Sequence, residues 1–170
     1  MLFARNRMCV LAAPGARATT NTVLERMLDP DVKLGTSTPK ADPSGDYAWV
    51  VLERAERVRP GAFATLSAKA RQLTGGPDSP PPDRSVYGML VGEGKADLFL
   101  TYCTNAAVAA KEVPSLSVIE LPRDLAVAAD YGLTVVAGAA PDAQAFARFV
   151  VSPEAQRIVA AHGFSPVTSP

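Results

Sequence analysis

Hydrophobic positions along the chain follow two alternating patterns. Short continuous apolar runs, such as MCVLAA (8–13) and ADLFLTY (96–102), are bounded by charged residues or by Pro-Gly and read as buried strands. Between them, apolar residues recur every three or four positions. The clearest such stretch is 45–58, where Tyr47, Val50, Val51, Ala55 and Val58 share one face, and Glu53, Arg54, Glu56 and Arg57 fall on the other. Arg59-Pro60 closes it. The same reading predicts helices over 20–28, 62–73, 85–91, 104–111, 142–151 and 152–161, and strands over 32–37, 116–121 and 131–137. The final helix carries its own punctuation: Ser152 to cap it, Pro153 where a missing N–H costs nothing, and Gly163 to stop it. His162 falls in its last turn, suited to the negative end of the helix dipole. The segment TGGPDSPPPD (74–83) reads as a surface loop.

Strands alternating with helices at this spacing predict an α/β fold, with helices on both faces of a sheet. In such sheets ligands collect beyond the carboxyl ends of the strands, where the helices begin.

Composition narrows the function. The chain has 170 residues, 48% hydrophobic, with 17 basic and 17 acidic side chains and no net charge. That suits one ordinary domain or two small lobes, and it lacks the basic balance of a nucleic-acid binder. No apolar run approaches the roughly 20 residues a membrane span requires. With two cysteines far apart and one histidine, a Cys/His zinc site is excluded. Cys9 and Cys103 read as small buried packing groups, with a disulfide between them the lesser alternative. The opening MLFARNRMCVLAAPGARA imitates a secretory signal, but its apolar run is short and is cut by Pro14-Gly15. It reads better as a strand, so the expectation is a chain without a signal peptide of its own.

Catalytic signatures are missing. There is no Gly-x-Gly-x-x-Gly, no Gly-x-x-x-x-Gly-Lys and no Gly-x-Ser-x-Gly, so no catalytic residue and no cofactor is expected, and the chain does not read as an enzyme. Three loop-to-helix junctions remain. Pro43-Ser44-Gly45 opens the helix of Tyr47 within KADPSGDYAW, Arg84-Ser85 opens the helix after the proline loop, and Tyr102 ends a strand before Cys-Thr-Asn. Amides at a helix start attract anions without any lysine or arginine. Ser44 and Ser85 serve equally well as ordinary N-caps, and spacing alone leaves both readings open.

At these residues the chain resembles the molybdate-binding receptors of ABC importers, periplasmic binding proteins of two α/β lobes. The resemblance is carried by LFARNRMCVLAAPG, KLGTSTPKADPSGDYAW, RSVYGMLVGEGKADLFLTYCTNA and YGLTVVAG…AFARFVVSPEAQRIVAAHGF, in the family's order across nearly the whole chain. It implies a site of neutral donors for molybdate or tungstate, with Ser44 and Gly45 at the first junction, Arg84 or Ser85 at the second, and Tyr102 at the third. No residue is implied as a cation ligand. The implied partners are the oxyanion and an ABC permease, without nucleic acid, and the implied location is periplasmic. The resemblance also implies that the opening part of the first lobe has no counterpart here. Residues 1–128 would then form one complete doubly wound lobe with half a ligand cleft. Residues 129–170 would return to the other lobe, leaving an apolar face through which copies of the chain could associate. The other reading is the ligand-sensing lobe of an intracellular regulator that binds a small anion without transport.

Overall fold

The computed structural model describes residues 1–76 and 84–167, so the predicted proline loop lies largely outside the described residues. The chain divides into two compact units, 8–127 in one piece, and 1–7 with 128–170 in the other. The first seven residues thus go with the carboxyl-terminal segment.

One strand, β1 (Leu2–Ala12), serves both units. Its second half lies in the larger unit, in a five-stranded sheet whose order uses β2 (Leu34–Ser37), β3 (Arg71–Thr74), β4 (Leu98–Tyr102) and β5 (Ser117–Glu120). That order is β3-β2-β4-β1-β5. β2 pairs parallel with β3 and β4, and β1 is antiparallel to β4 and β5. Period-two alternation then sorts the core onto two faces. Met8, Val10, Leu34, Leu98 and Leu100 pack under α1 (Val23–Leu28), α2 (Pro43–Val58) and α3 (Ala62–Lys69). Cys9, Leu11 and Phe99 pack under α4 (Val86–Gly92) and α5 (Cys103–Glu112). Gly35 permits this closeness, since a Cβ there would sit 2.6 Å from the Phe99 ring. The α/β architecture expected from the sequence is the one observed.

In the smaller unit the first half of β1 pairs antiparallel with β6 (Ala128–Gly132) and β7 (Ser165–Pro166). Two helices follow β6, α6 (Pro141–Val150) and α7 (Pro153–Ala161). Ser152 Oγ accepts from the Ala155 amide, and His162 is the C-cap residue, as the punctuation predicts.

Several features differ from the sequence pattern. The strand expected over 8–13 begins already at Leu2. The helix predicted over 62–73 ends at Lys69, and Arg71–Thr74 form an edge strand instead. Arg71 and Gln72 are exposed and only Leu73 is apolar, so no apolar pattern marked the strand. The strand predicted over 131–137 lies earlier, at β6, where backbone pairing and the Arg5–Asp130 ion pair at 2.7 Å substitute for apolar content. Finally, Cys9 and Cys103 are joined by a disulfide across 94 residues of chain, which corrects the expectation of two separate packing thiols. Burial was expected of both, but the meeting of β1 with the start of α5 is a product of tertiary topology that linear spacing does not encode.

Candidate functional site

The parallel strands β2, β3 and β4 end at one edge of the sheet in the larger unit. There, Thr38 donates its amide and its hydroxyl to the Thr74 carbonyl at 2.8 and 2.9 Å, and Ser37 Oγ meets Thr74 Oγ1 at 2.7 Å. These bonds tie the chain after β2 to the end of β3.

α2 begins just beyond. Asp42 is its N-cap, with the carboxylate accepting from the Ser44 amide at 2.9 Å, while the Gly45 amide donates to the Asp42 carbonyl at 2.8 Å. The two amides expected to face an anion are therefore engaged within the turn. Gly45 has a structural reason as well: a Cβ there would lie 2.6–2.7 Å from backbone atoms of Ser37, Thr38 and Pro39. What Ser44 leaves without a partner is its hydroxyl, which is buried at 1% exposure. Ser44 and Tyr47 are three residues apart and share a face of α2. Tyr47's ring lies 6.0 Å from that of Tyr102, so this face is turned toward the end of β4.

Thr36 was not singled out by the sequence, yet its hydroxyl is also fully buried without a partner. Alternation places it, with Leu34, on the α2 side of β2. An unpaired polar atom inside a strand is the signal that marks it, and only coordinates supply that signal.

Tyr102 is half-buried at the end of β4 and is the N-cap residue of α5. No side chain caps α5 and no acidic residue lies in its first turn. The Cys103 half of the disulfide is the first residue of that helix.

Ser85 lies elsewhere. Its amide donates to Glu112 Oε2 at 2.8 Å and its hydroxyl accepts from the Gly88 amide at 3.3 Å, an ordinary N-cap. Glu112 ends α5, nine residues past Cys103 and roughly 14 Å along the helix axis. Arg84 is exposed and 3.8 Å from Glu93. Of the five predicted positions, Ser44, Gly45 and Tyr102 share an edge, and Arg84 and Ser85 stand at the far end of α5.

Glu56 and Lys69, both outside this edge, titrate away from their ordinary values. Backbone N–H donors from Gly61 and Phe63 hold the Glu56 carboxyl below the usual range. Burial pushes the Lys69 ammonium down against the opposing pull of Asp29, Asp31 and Asp97. Among the described residues no cluster of His, Cys, Asp and Glu could hold a metal ion, and no helix is long and apolar enough to cross a membrane.

Residues 2–165 match the family described as bacterial extracellular solute-binding proteins. An uncharacterized protein of Pasteurella multocida (strain Pm70) is 33% identical over 134 residues, covering 77% of this chain and 55% of that protein. The chain thus spans about half the length of its curated relative. The crystal structure of PEB3 with bound L-phospholactate superposes with a TM-score of 0.70 at 13% identity, over 98% of this chain and 68% of the other; PEB3 is a Campylobacter jejuni protein. The sulfate-binding protein SubI of Mycobacterium tuberculosis H37Rv gives 0.70 at 19% identity, over 98% and 58%. The periplasmic molybdate-binding protein of Azotobacter vinelandii gives 0.58 at 18% identity, over 97% and 67%. At these identities the likeness is one of fold.

Proposed function

The chain belongs to the family of bacterial extracellular solute-binding proteins, and from that premise we propose that its larger unit holds a tetrahedral oxyanion for an ABC importer, with molybdate or tungstate as the ligand. The observation that carries this reading is the Ser44 hydroxyl, buried without a partner on the face of α2 turned to Tyr102. Leaving such a group unsatisfied costs about 1–3 kcal/mol, and an oxyanion oxygen at that edge would accept its proton. Thr36 and Tyr102 supply further neutral hydroxyls. The ligands named for the structural neighbours, L-phospholactate, sulfate and molybdate, share a tetrahedral oxyanion centre. Neutral donors at fixed positions select by size and protonation state, because a smaller tetrahedron leaves a donor unpaired. Molybdate and tungstate should therefore bind alike, and sulfate more weakly.

An ABC permease is the partner this role requires, and the periplasm its compartment. The Cys9–Cys103 disulfide agrees with an oxidising location and fits an intracellular sensing lobe poorly.

Thermal unfolding with millimolar molybdate, tungstate, sulfate or phosphate tests the reading. A ligand at 100 times its Kd adds about 2.7 kcal/mol of stability. A melting shift with molybdate and tungstate that Ser44→Ala reduces would support it. Absence of any shift with all four anions would remove it.

A further inference from the structure

We propose that the outward face of α6, in the smaller unit, is a docking surface for a second copy of this chain, the two α6 helices pairing antiparallel about a two-fold axis. This inference is independent of the oxyanion reading, whose candidate site lies in the larger unit.

Helical spacing divides α6 between two faces. Ala143, Ala147 and Val150 recur every three or four positions and turn inward, Ala147 buried and the other two half-buried. Asp142, Ala145, Phe146 and Phe149 form the opposite stripe and are all exposed, Phe146 at 67% and Phe149 at 43%. Phe146 is also a wall of an open groove of about 270 Å³, lined on its other side by Leu133, Val135 and Val136. Val136 itself is 71% exposed. The stripe and the groove therefore make one continuous apolar patch, unlike the single exposed apolar residues that any surface carries.

Charge identifies the occupant. Asp142 stands in the first turn of α6 and Arg148 in its last. Among the described residues neither makes an ion pair or a side-chain hydrogen bond. At this separation they do not face each other along one helix. A second copy laid antiparallel across Ala145 and Phe146 reverses the order, so that Asp142 of each copy lies over Arg148 of the other. A two-fold axis makes this pair twice.

Shape follows the same operation. Phe149 takes no part in lining the groove, whereas Ala139 and Ala143, at the start of α6, do. Antiparallel pairing carries the Phe149 ring of one copy over the start of the other's α6, where the groove opens. The patch is thus complementary to itself in charge and in shape, which is what an isologous contact requires. Equal numbers of acidic and basic side chains leave no net charge to hold two copies apart.

The test is sedimentation equilibrium of the full chain over a concentration series, repeated on Phe146→Glu, Asp142→Arg, Arg148→Asp and the double exchange. The wild-type chain should dimerise. Phe146→Glu, at an exposed position, should be monomeric throughout with its circular dichroism unchanged. Each single reversal sets like charges together at both symmetric places and should raise the dimer Kd about tenfold. The double exchange should return the Kd to near its wild-type value. Both reversals oppose the helix dipole, so recovery in the double variant cannot come from the helix itself. Should Phe146→Glu unfold, the charge exchange decides. A wild-type chain that stays monomeric would overturn the inference. A dimer that a folded Phe146→Glu leaves intact would do so too, because the copies would then meet elsewhere. So would a double exchange that associates no better than the single reversals.

Discussion

The two units differ in what they bury. In residues 8–127 the large side chains Phe99, Met8, Leu11, Met27, Leu34, Leu52 and Leu100 are fully enclosed, in two clusters on either side of the sheet. In the other unit, the buried apolar residues among those described are four alanines: Ala4, Ala129, Ala147 and Ala155. Several of its large apolar side chains lie open, with Val136 at 71% exposure and Phe146 at 67%, and with Phe149 and Ile158 also exposed, while Phe3, Tyr131 and Phe164 stack edge to face and are half-buried. Both units have regular strands, capped helices and ion pairs. Apolar burial, the dominant favourable term in folding, is therefore concentrated in the larger unit. The candidate site lies in the unit that has the larger core, where packing can hold donors at fixed positions.

That contrast can be broken most directly by truncating one ring in each unit. Phe99→Ala should cost about 3–5 kcal/mol in urea unfolding, since it empties a fully buried position. Phe146→Ala, at an exposed position, should change stability by no more than about 0.5 kcal/mol. Equal losses would mean that the smaller unit is packed as tightly as the larger, and the comparison would fail. Gly45→Ala comes next. The backbone of Ser37–Pro39 cannot move aside as a side chain can, so this one methyl group should cost about 1–3 kcal/mol and weaken any oxyanion shift by displacing the first turn of α2. Thermal unfolding with and without molybdate reads both effects. The smallest effect concerns Glu56, whose carboxylate accepts from the amides of Gly61 and Phe63 at the start of α3. Its folded pKa is lowered, so its contribution is present above the ordinary carboxylate pKa and is lost as pH falls through the lowered value. Glu56→Gln should lower the neutral plateau of a stability–pH profile slightly and leave the acid end unchanged, so the acid limb flattens.

The sequence was most legible where local rules act alone. The Ser152-Pro153 start and the buried run of β4 are each written in a few neighbouring residues; on α2 the expected face holds at Val51 and Ala55, while Val58 is exposed and Ala48 and Leu52 are buried. It was less legible where pairing supplies what composition lacks. Arg71 and Gln72 sit in an exposed edge strand, and β6 forms from small and charged residues because β1 lies beside it. At the candidate site, residue types drew attention to Ser44 and Tyr102 but not to which of their atoms are already engaged. Asp42 takes the Ser44 amide and leaves the hydroxyl, an arrangement that depends on one rotamer rather than on spacing. Thr36 escaped notice because a threonine inside a strand is unremarkable until its hydroxyl is found without a partner. The disulfide stood only as the lesser alternative because 94 residues separate its ends.

The strand β1 sets a limit on how the chain could change length. Its residues pair Met8 with Tyr102 in one unit and Ala4 with Tyr131 in the other, all on a single unbroken run from Leu2 to Ala12. Adding or removing one residue near its middle would shift the pairing frame of one half relative to the other, and a shift of one turns every side chain to the opposite face. If the second half took the shift, Met8, Val10 and Ala12 would exchange sides with Cys9 and Leu11, and the thiol of Cys9 would no longer meet that of Cys103. Substitution along this strand is a graded change, but insertion or deletion within it is all-or-nothing, and the frame it protects is shared by two sheets at once.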